Sequence, residues 1–268
     1  MYGSQQEPER LFGKKGEQLR DAFEHAMYRA SPGSYELMGT LLKSWQKDSR
    51  QAWKQVDGFE VVNTTFVSSE IKVETPELGS FTYNLRQEVV SDFEAANAAN
   101  LIHSMDSYVV RELIRRCSTP RNQIECWIDE LELNLSQEEV ESPNDPESWM
   151  GGRGMVSLYH LSHMTIHEFS HSYCRKQLGI LQELVKFKEL HVVTIHDSFG
   201  SLPSNCNYVR WTYKELLAEI AEGDIIEYLL SQLYRFEGVQ KESLRYSPFG
   251  NRKRLAESIR KNANYAIC

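Results

Sequence analysis

Apolar positions recur at helical spacing over residues 17–30 and stop at Ser31-Pro32-Gly33. Ser34 is expected to cap a second helix in which Leu37, Leu41 and Trp45 share a face. Asp57-Gly58 marks a turn, and 59–67, 70–73 and 80–86 carry the Val, Thr, Phe and Tyr of short strands. Helical spacing returns from Asp92 to Cys117. Residues 118–154 interrupt it with Pro120, Pro143, Pro146, an acidic run from Asp129 to Glu141 and Gly151-Gly152-Arg153-Gly154, the composition of an insertion or flexible excursion. A helical segment resumes at about 155–186. Leu190–Ile195 then forms a β-branched apolar run, expected to be a buried strand, that stops at His196-Asp197-Ser198. Helices near 205–221, 224–237 and 252–262 follow, and Asp224 with Glu227 has the spacing of a capping box. The pattern predicts an α+β protein without internal repeats.

Composition changes this picture little, and charge changes it more. At 268 residues, 41% hydrophobic and 25% charged, the chain has the composition of a soluble globular protein. No run approaches the ~20 apolar residues of a membrane helix, and the opening segment lacks the apolar stretch of a signal peptide, so no membrane partner is expected. The five cysteines form no C-x-x-C pair, which favours a reducing compartment. A net charge of −8 argues against nucleic-acid binding by this chain alone, because phosphate contacts need clustered Lys and Arg. The local candidates are Lys14-Lys15, the Arg111/Arg115/Arg116 cluster and Asn251–Lys261; each is either a phosphate contact or a solvated face.

The end of the predicted strand at Ile195 carries the sharpest chemistry. A carboxylate delivered there by a buried strand needs a cation, hydrogen bonds or a metal, so Asp197 is a candidate magnesium ligand. The bland alternative is a turn-capping aspartate beside a buried histidine. The segment Ile195-His196-Asp197-Ser198-Phe199-Gly200 resembles motif C of the single-subunit RNA polymerases of bacteriophages and mitochondria. In that family a strand–turn–strand presents the aspartate to catalytic magnesium, and Ser198 stands where related DNA polymerases usually have Glu. Asn100-Leu101-Ile102-His103-Ser104-Met105-Asp106 is similar to the family's N-F-x-H-S-x-D segment. Val56-Asp57-Gly58-Phe59-Glu60-Val61 resembles its D-G-F-x-V turn. Asn264–Cys268 resembles its aromatic tail, and Tyr2-Gly3-Ser4 resembles the end of motif B.

The resemblance implies the distal fingers and palm of a right-hand polymerase, with an antiparallel palm hairpin flanked by helices. It implies Asp197 as a ligand of catalytic Mg²⁺, His196 as a shaper of the motif C turn, and His103 near the primer–template end. Tyr2 and Gly3 would meet the incoming ribonucleotide. The matched segments divide the chain into 1–55 (end of motif B and the following helices), 56–117 (palm strands and helix), 118–186 (acidic and helical insertion) and 187–268 (motif C hairpin, C-terminal helices and tail). An insertion is expected because His103 and His196 lie 93 positions apart, beyond the family's spacing.

Two departures matter for activity. The Arg and Lys of motif B and the second metal-binding aspartate of motif A have no counterpart in this sequence. Nucleotidyl transfer uses two metal ions roughly 3.5–4 Å apart, which one aspartate cannot hold. The expectation is therefore a split DNA-dependent RNA polymerase, inactive until a second subunit supplies motif A and most of motif B. It would act on a DNA template and ribonucleoside triphosphates to make RNA, in the cytoplasm of an infected bacterium. This arrangement resembles the heterodimeric phage polymerases of the enquatrovirus type, with this chain similar to the smaller subunit.

A competing signal is His167-Glu168-Phe169-Ser170-His171, a literal H-E-x-x-H in a segment expected to be helical. On a helix, His167 and His171 would share a face and bind zinc with Glu168 as general base, a metalloprotease site; His160 and His163 would extend the stripe. A palm-like accessory protein without catalysis is the third alternative.

Overall fold

The computed structural model describes residues 13, 17–45, 51–63, 66–75, 79–88, 95–149, 155–195, 198–234 and 251–263. Alternating helical and strand periodicity becomes a mixed α and β architecture, mostly helical, with small two-stranded sheets. The chain divides into two units. Among the described residues no helix is long and apolar enough to cross a membrane.

The first unit comprises Met1–Trp53, Glu60–Ile102 and Leu233–Arg235. Helix α1 (Glu17–Ala30) is mostly exposed, and α2 (Pro32–Lys43) follows directly. The cap of α2 is Ser31 rather than Ser34: Pro32 takes the first helical position, where its missing N–H costs nothing, and Ser34 lies inside the helix. Strand β1 (Gln51–Lys54) pairs with β2 (Glu60–Asn63), and Trp53 is almost fully buried. Strands β3 (Phe66–Thr75) and β4 (Gly79–Glu88) form an antiparallel ribbon of ten residue pairs, longer than the separate short strands expected. Gly79, at φ +77°, takes the left-handed conformation at the start of β4. Alternation gives the ribbon one face of Ile71, Val73, Phe81, Tyr83 and Leu85, and another of Glu70, Lys72, Glu74, Thr82 and Asn84.

Helix α3 (Ala95–Ser118) begins in the first unit and continues in the second. Its buried positions include Asn97, Leu101, Ser104, Tyr108, Glu112 and Arg116, a helical stripe that is half polar. Each polar member must therefore find a partner inside the protein. Asn97 does so in the first unit, accepting from Asn63 at 2.9 Å and donating to Ser44 at 3.0 Å and to Gln51.

The second unit comprises Lys54–Phe59, His103–Gln232 and Phe236–Cys268. Helix α4 (Arg121–Ser136) runs through the start of the acidic segment, so residues 121–136 are no flexible excursion. Its Ile124, Trp127, Leu131 and Asn134 are buried, while Glu125, Asp129, Glu130 and Glu132 are exposed. The acidic composition is the solvated side of an amphipathic helix. Short helices α5 (Pro146–Trp149) and α6 (Leu158–His163), a 3₁₀ turn (Ile166–Glu168) and α7 (His171–Leu184) follow, and α7 packs on α4. Asn134 Nδ2 fastens the layers by donating to the carbonyls of Ile166 (3.0 Å) and Phe169 (3.2 Å). The hairpin of β5 (Val193–Ile195) and β6 (Ser198–Gly200) leads through a second 3₁₀ turn (Pro203–Asn205) to α8 (Cys206–Glu222) and α9 (Ile225–Leu233). Helix α10 (Arg252–Asn262) packs on α8 with Ala256 fully buried.

Candidate functional site

Hairpin β5–β6 pairs antiparallel with Val193 opposite Gly200, Thr194 opposite Phe199 and Ile195 opposite Ser198. His196 and Asp197, the two residues between the strands, lie outside the described residues, as do Tyr2, Gly3, Lys14, Lys15 and the tail from Asn264 to Cys268. The approach to β5 is anchored where Leu190 N–H donates to the Cys117 carbonyl at 2.9 Å. Beyond β6, the Phe199 ring lies 5.3 Å from that of Tyr213 on α8. The expected buried strand is not buried: Val193 is 60% exposed and Ile195 66%, and Leu202 just beyond is 70% exposed. A strand of three residues, paired on one side only, has no second layer of this chain to cover it.

The D-G-F segment is a tight turn. Gly58, at φ +72°, occupies the left-handed region; its N–H donates to the Gln55 carbonyl and Gln55 N–H donates to the Phe59 carbonyl, both at 2.9 Å. The turn is tied to the N-L-I-H-S segment on α3, because Gln55 Nε2 donates to Ser104 Oγ. His103, one residue earlier, is exposed on α3.

Asp57 carries the chemistry of the turn inward. Its fully buried carboxylate accepts from Arg111 Nε at 2.7 Å and from Arg111 and Arg115 terminal nitrogens at 2.8 and 2.9 Å. Burial alone would raise its pKa, but the two guanidinium groups more than offset this and hold it below the ordinary 3.8. Glu112, also fully buried, accepts from Arg115 and Arg116 (3.2 Å each), Ser157 Oγ (2.7 Å) and Leu158 N–H (2.9 Å). Arg116 in turn forks onto Glu219 of α8 at 2.6 and 2.8 Å. Three guanidinium groups thus face three carboxylates. The arginine cluster is neither a phosphate contact nor a solvated face; its charge is matched within the fold.

The histidines near 160–171 do not make a zinc site. His160 is buried: its Nε2 lies 2.8 Å from the Val56 carbonyl, which can only accept, so Nε2 carries the proton. Nδ1 then accepts from the Tyr173 hydroxyl, which itself accepts from Gln177 Nε2 at 3.2 Å. Burial, despite the Val56 bond, lowers the His160 pKa and keeps the ring neutral. His163 is exposed and stacks on Tyr159 at 3.9 Å. The H-E-x-x-H residues are not on one helix. His167 and Glu168 belong to a 3₁₀ turn, Phe169 and Ser170 are extended, and His171 opens α7 with Ser170 as its cap. Glu168 accepts from Asn144 Nδ2 at 2.8 Å. The shared face that zinc ligation requires is therefore lost at the Phe169-Ser170 break. Among the described residues no three His, Cys, Asp or Glu side chains are grouped to hold a metal ion.

Sequence reasoning missed the partners of Asp57 and the roles of Asn97, Glu112 and Gln177; polar residues at core positions of α3 and α7 were the available signal. It also missed a cleft of about 950 Å³ lined by parts of α7, α8 and α10, whose Arg116 and Arg260 are held by Glu219, Glu215 and Glu222. Compared with protein-family models and with curated proteins, the chain matches none.

Proposed function

We propose that this chain contributes the motif C part of the active site of a split DNA-dependent RNA polymerase. The observation that carries the reading is the β5–β6 hairpin: antiparallel pairing of Val193–Ile195 with Ser198–Gly200 leaves His196-Asp197 as the link between two strands. That is the local form which the resemblance to motif C requires. The bond between Gln55 beside the D-G-F turn and Ser104 of the N-L-I-H-S segment adds support, since two of the matched segments meet.

In this reading Asp197 ligates catalytic Mg²⁺, bridging two ions together with an aspartate of the complementary subunit. The ions align the attacking 3′-hydroxyl and stabilise the pyrophosphate leaving group. His196 shapes the turn, His103 lies by the primer–template end, and Tyr2 with Gly3 meets the incoming ribonucleotide. The sequence holds one such aspartate and none of the motif B cations, so the complementary subunit supplies the rest of the electrostatic stabilisation. The exposed apolar residues Val193 and Ile195 agree with a hairpin that is covered when that subunit is present. The test is template-dependent ribonucleotide incorporation with Mg²⁺. Synthesis is expected from the chain mixed with the polypeptide of the same genome that carries motif A. It is expected from neither alone. A mixture that associates yet makes no RNA overturns the reading.

A further inference from the structure

We propose that the apolar face of the β3–β4 ribbon is a docking surface for the complementary polymerase subunit, an inference that rests on the split-polymerase reading. The ribbon's ten residue pairs make it roughly 34 Å long. An isolated two-stranded hairpin is marginal in water and needs a layer against its hydrophobic face. Here that face is still open, with Phe81 49% and Tyr83 44% exposed beside Ile71, Val73 and Leu85. Two aromatic side chains side by side on an open apolar strip are the kind of anchor that dominates protein interfaces.

Charge selects the occupant. Residues 66–88 contain Glu70, Glu74, Glu77 and Glu88 against Lys72 and Arg86, a net charge of −2. The sign is wrong for phosphate backbones and for anionic lipid. A second copy would bring a chain of net charge −8 against another of the same charge. The complementary subunit has the opposite requirement. A polymerase must hold nucleic acid, this chain is acidic, and its Arg111, Arg115 and Arg116 are consumed by carboxylates, so the positive surface falls to the other subunit. An apolar strip bordered by acids fits a subunit with a basic rim.

The experiment places photoreactive p-benzoylphenylalanine at position 83, on the apolar face, or at position 84, on the polar face. Each variant is irradiated with the motif A polypeptide of the same genome and template DNA. A cross-link from position 83 into that polypeptide, and little from 84, is expected. Phe81→Ser should weaken association about tenfold, with synthesis restored at saturating partner. A cross-link from 83 into a second copy or into DNA overturns the docking, as does unchanged association of Phe81→Ser. Because the photoreactive residue retains an aromatic ring, the cross-link remains informative if Phe81→Ser loosens the ribbon. RNA synthesis by the unmodified pair without a cross-link sinks the docking alone. A cross-link without synthesis by the unmodified pair sinks the polymerase reading alone.

Discussion

Within the second unit, the Asp57–Arg116 network and the β5–β6 hairpin treat their difficult residues in opposite ways. The network takes six charged side chains, several of them fully buried, and satisfies them from α3, the D-G-F turn, α8 and the cap of α6. The hairpin takes apolar residues and leaves them in water. A perturbed and buried ionic cluster is often a sign of function. Here its closed stoichiometry marks a structural lock, whereas the incomplete hairpin marks the place where something else must bind. Incompleteness, not unusual electrostatics, is the better pointer in this molecule.

Four measurements break or sharpen that contrast. Asp197→Asn should reduce RNA synthesis by the reconstituted pair to background while leaving association and thermal stability unchanged. Activity at the parental level would remove Asp197 from the metal site. Arg116→Ala leaves Glu112 and Glu219 without their shared counter-charge, so denaturant unfolding of the chain should show a loss of about 3–5 kcal/mol. A loss below about 1 kcal/mol would mean the network is not a lock.

The third concerns pH. Burial lowers the folded-state pKa of His160, so the unfolded chain binds the extra proton first as pH falls. Its contribution is complete above the unfolded value of about 6.5 and declines below it. Asp57, held low by Arg111 and Arg115, contributes fully above its unfolded value of about 3.9 and loses that contribution only in stronger acid. Unfolding midpoints measured from pH 7 to 5 should therefore decline in the parent and flatten in His160→Gln, with the steeper acid loss below pH 4 unchanged. Identical profiles would remove His160 from the lock. The smallest effect belongs to the hairpin: Ile195→Ser should change stability by no more than about 0.5 kcal/mol, as for other exposed positions, yet weaken association with the motif A subunit. A large stability loss there would show the hairpin to be part of this chain's own core.

Local periodicity determined the helices over 17–30, 95–118 and 206–222, because each has a face whose partners lie three or four residues away in the chain itself. Alternation likewise revealed β4 and the strands beside motif C, and Asp57-Gly58 revealed a turn that only glycine enters easily. The candidate site was legible as a string, Ile195–Gly200, with its two-strand form. Burial was not legible. Val193 and Ile195 have the hydropathy of a core strand, and whether a second layer covers them depends on elements distant in sequence. The H-E-x-x-H match failed for a related reason. Its spacing is a helix spacing only if the backbone stays helical, and at Phe169-Ser170 the carbonyls of Ile166 and Phe169 are held by Asn134 from another helix. The arginine triplet shows the same limit in electrostatics. Sequence fixes that Arg111, Arg115 and Arg116 are positive and share a region of α3. Only the tertiary structure decides that they face Asp57, Glu112 and Glu219 rather than phosphate, because charge compensation depends on distances of about 3 Å between residues up to 103 positions apart.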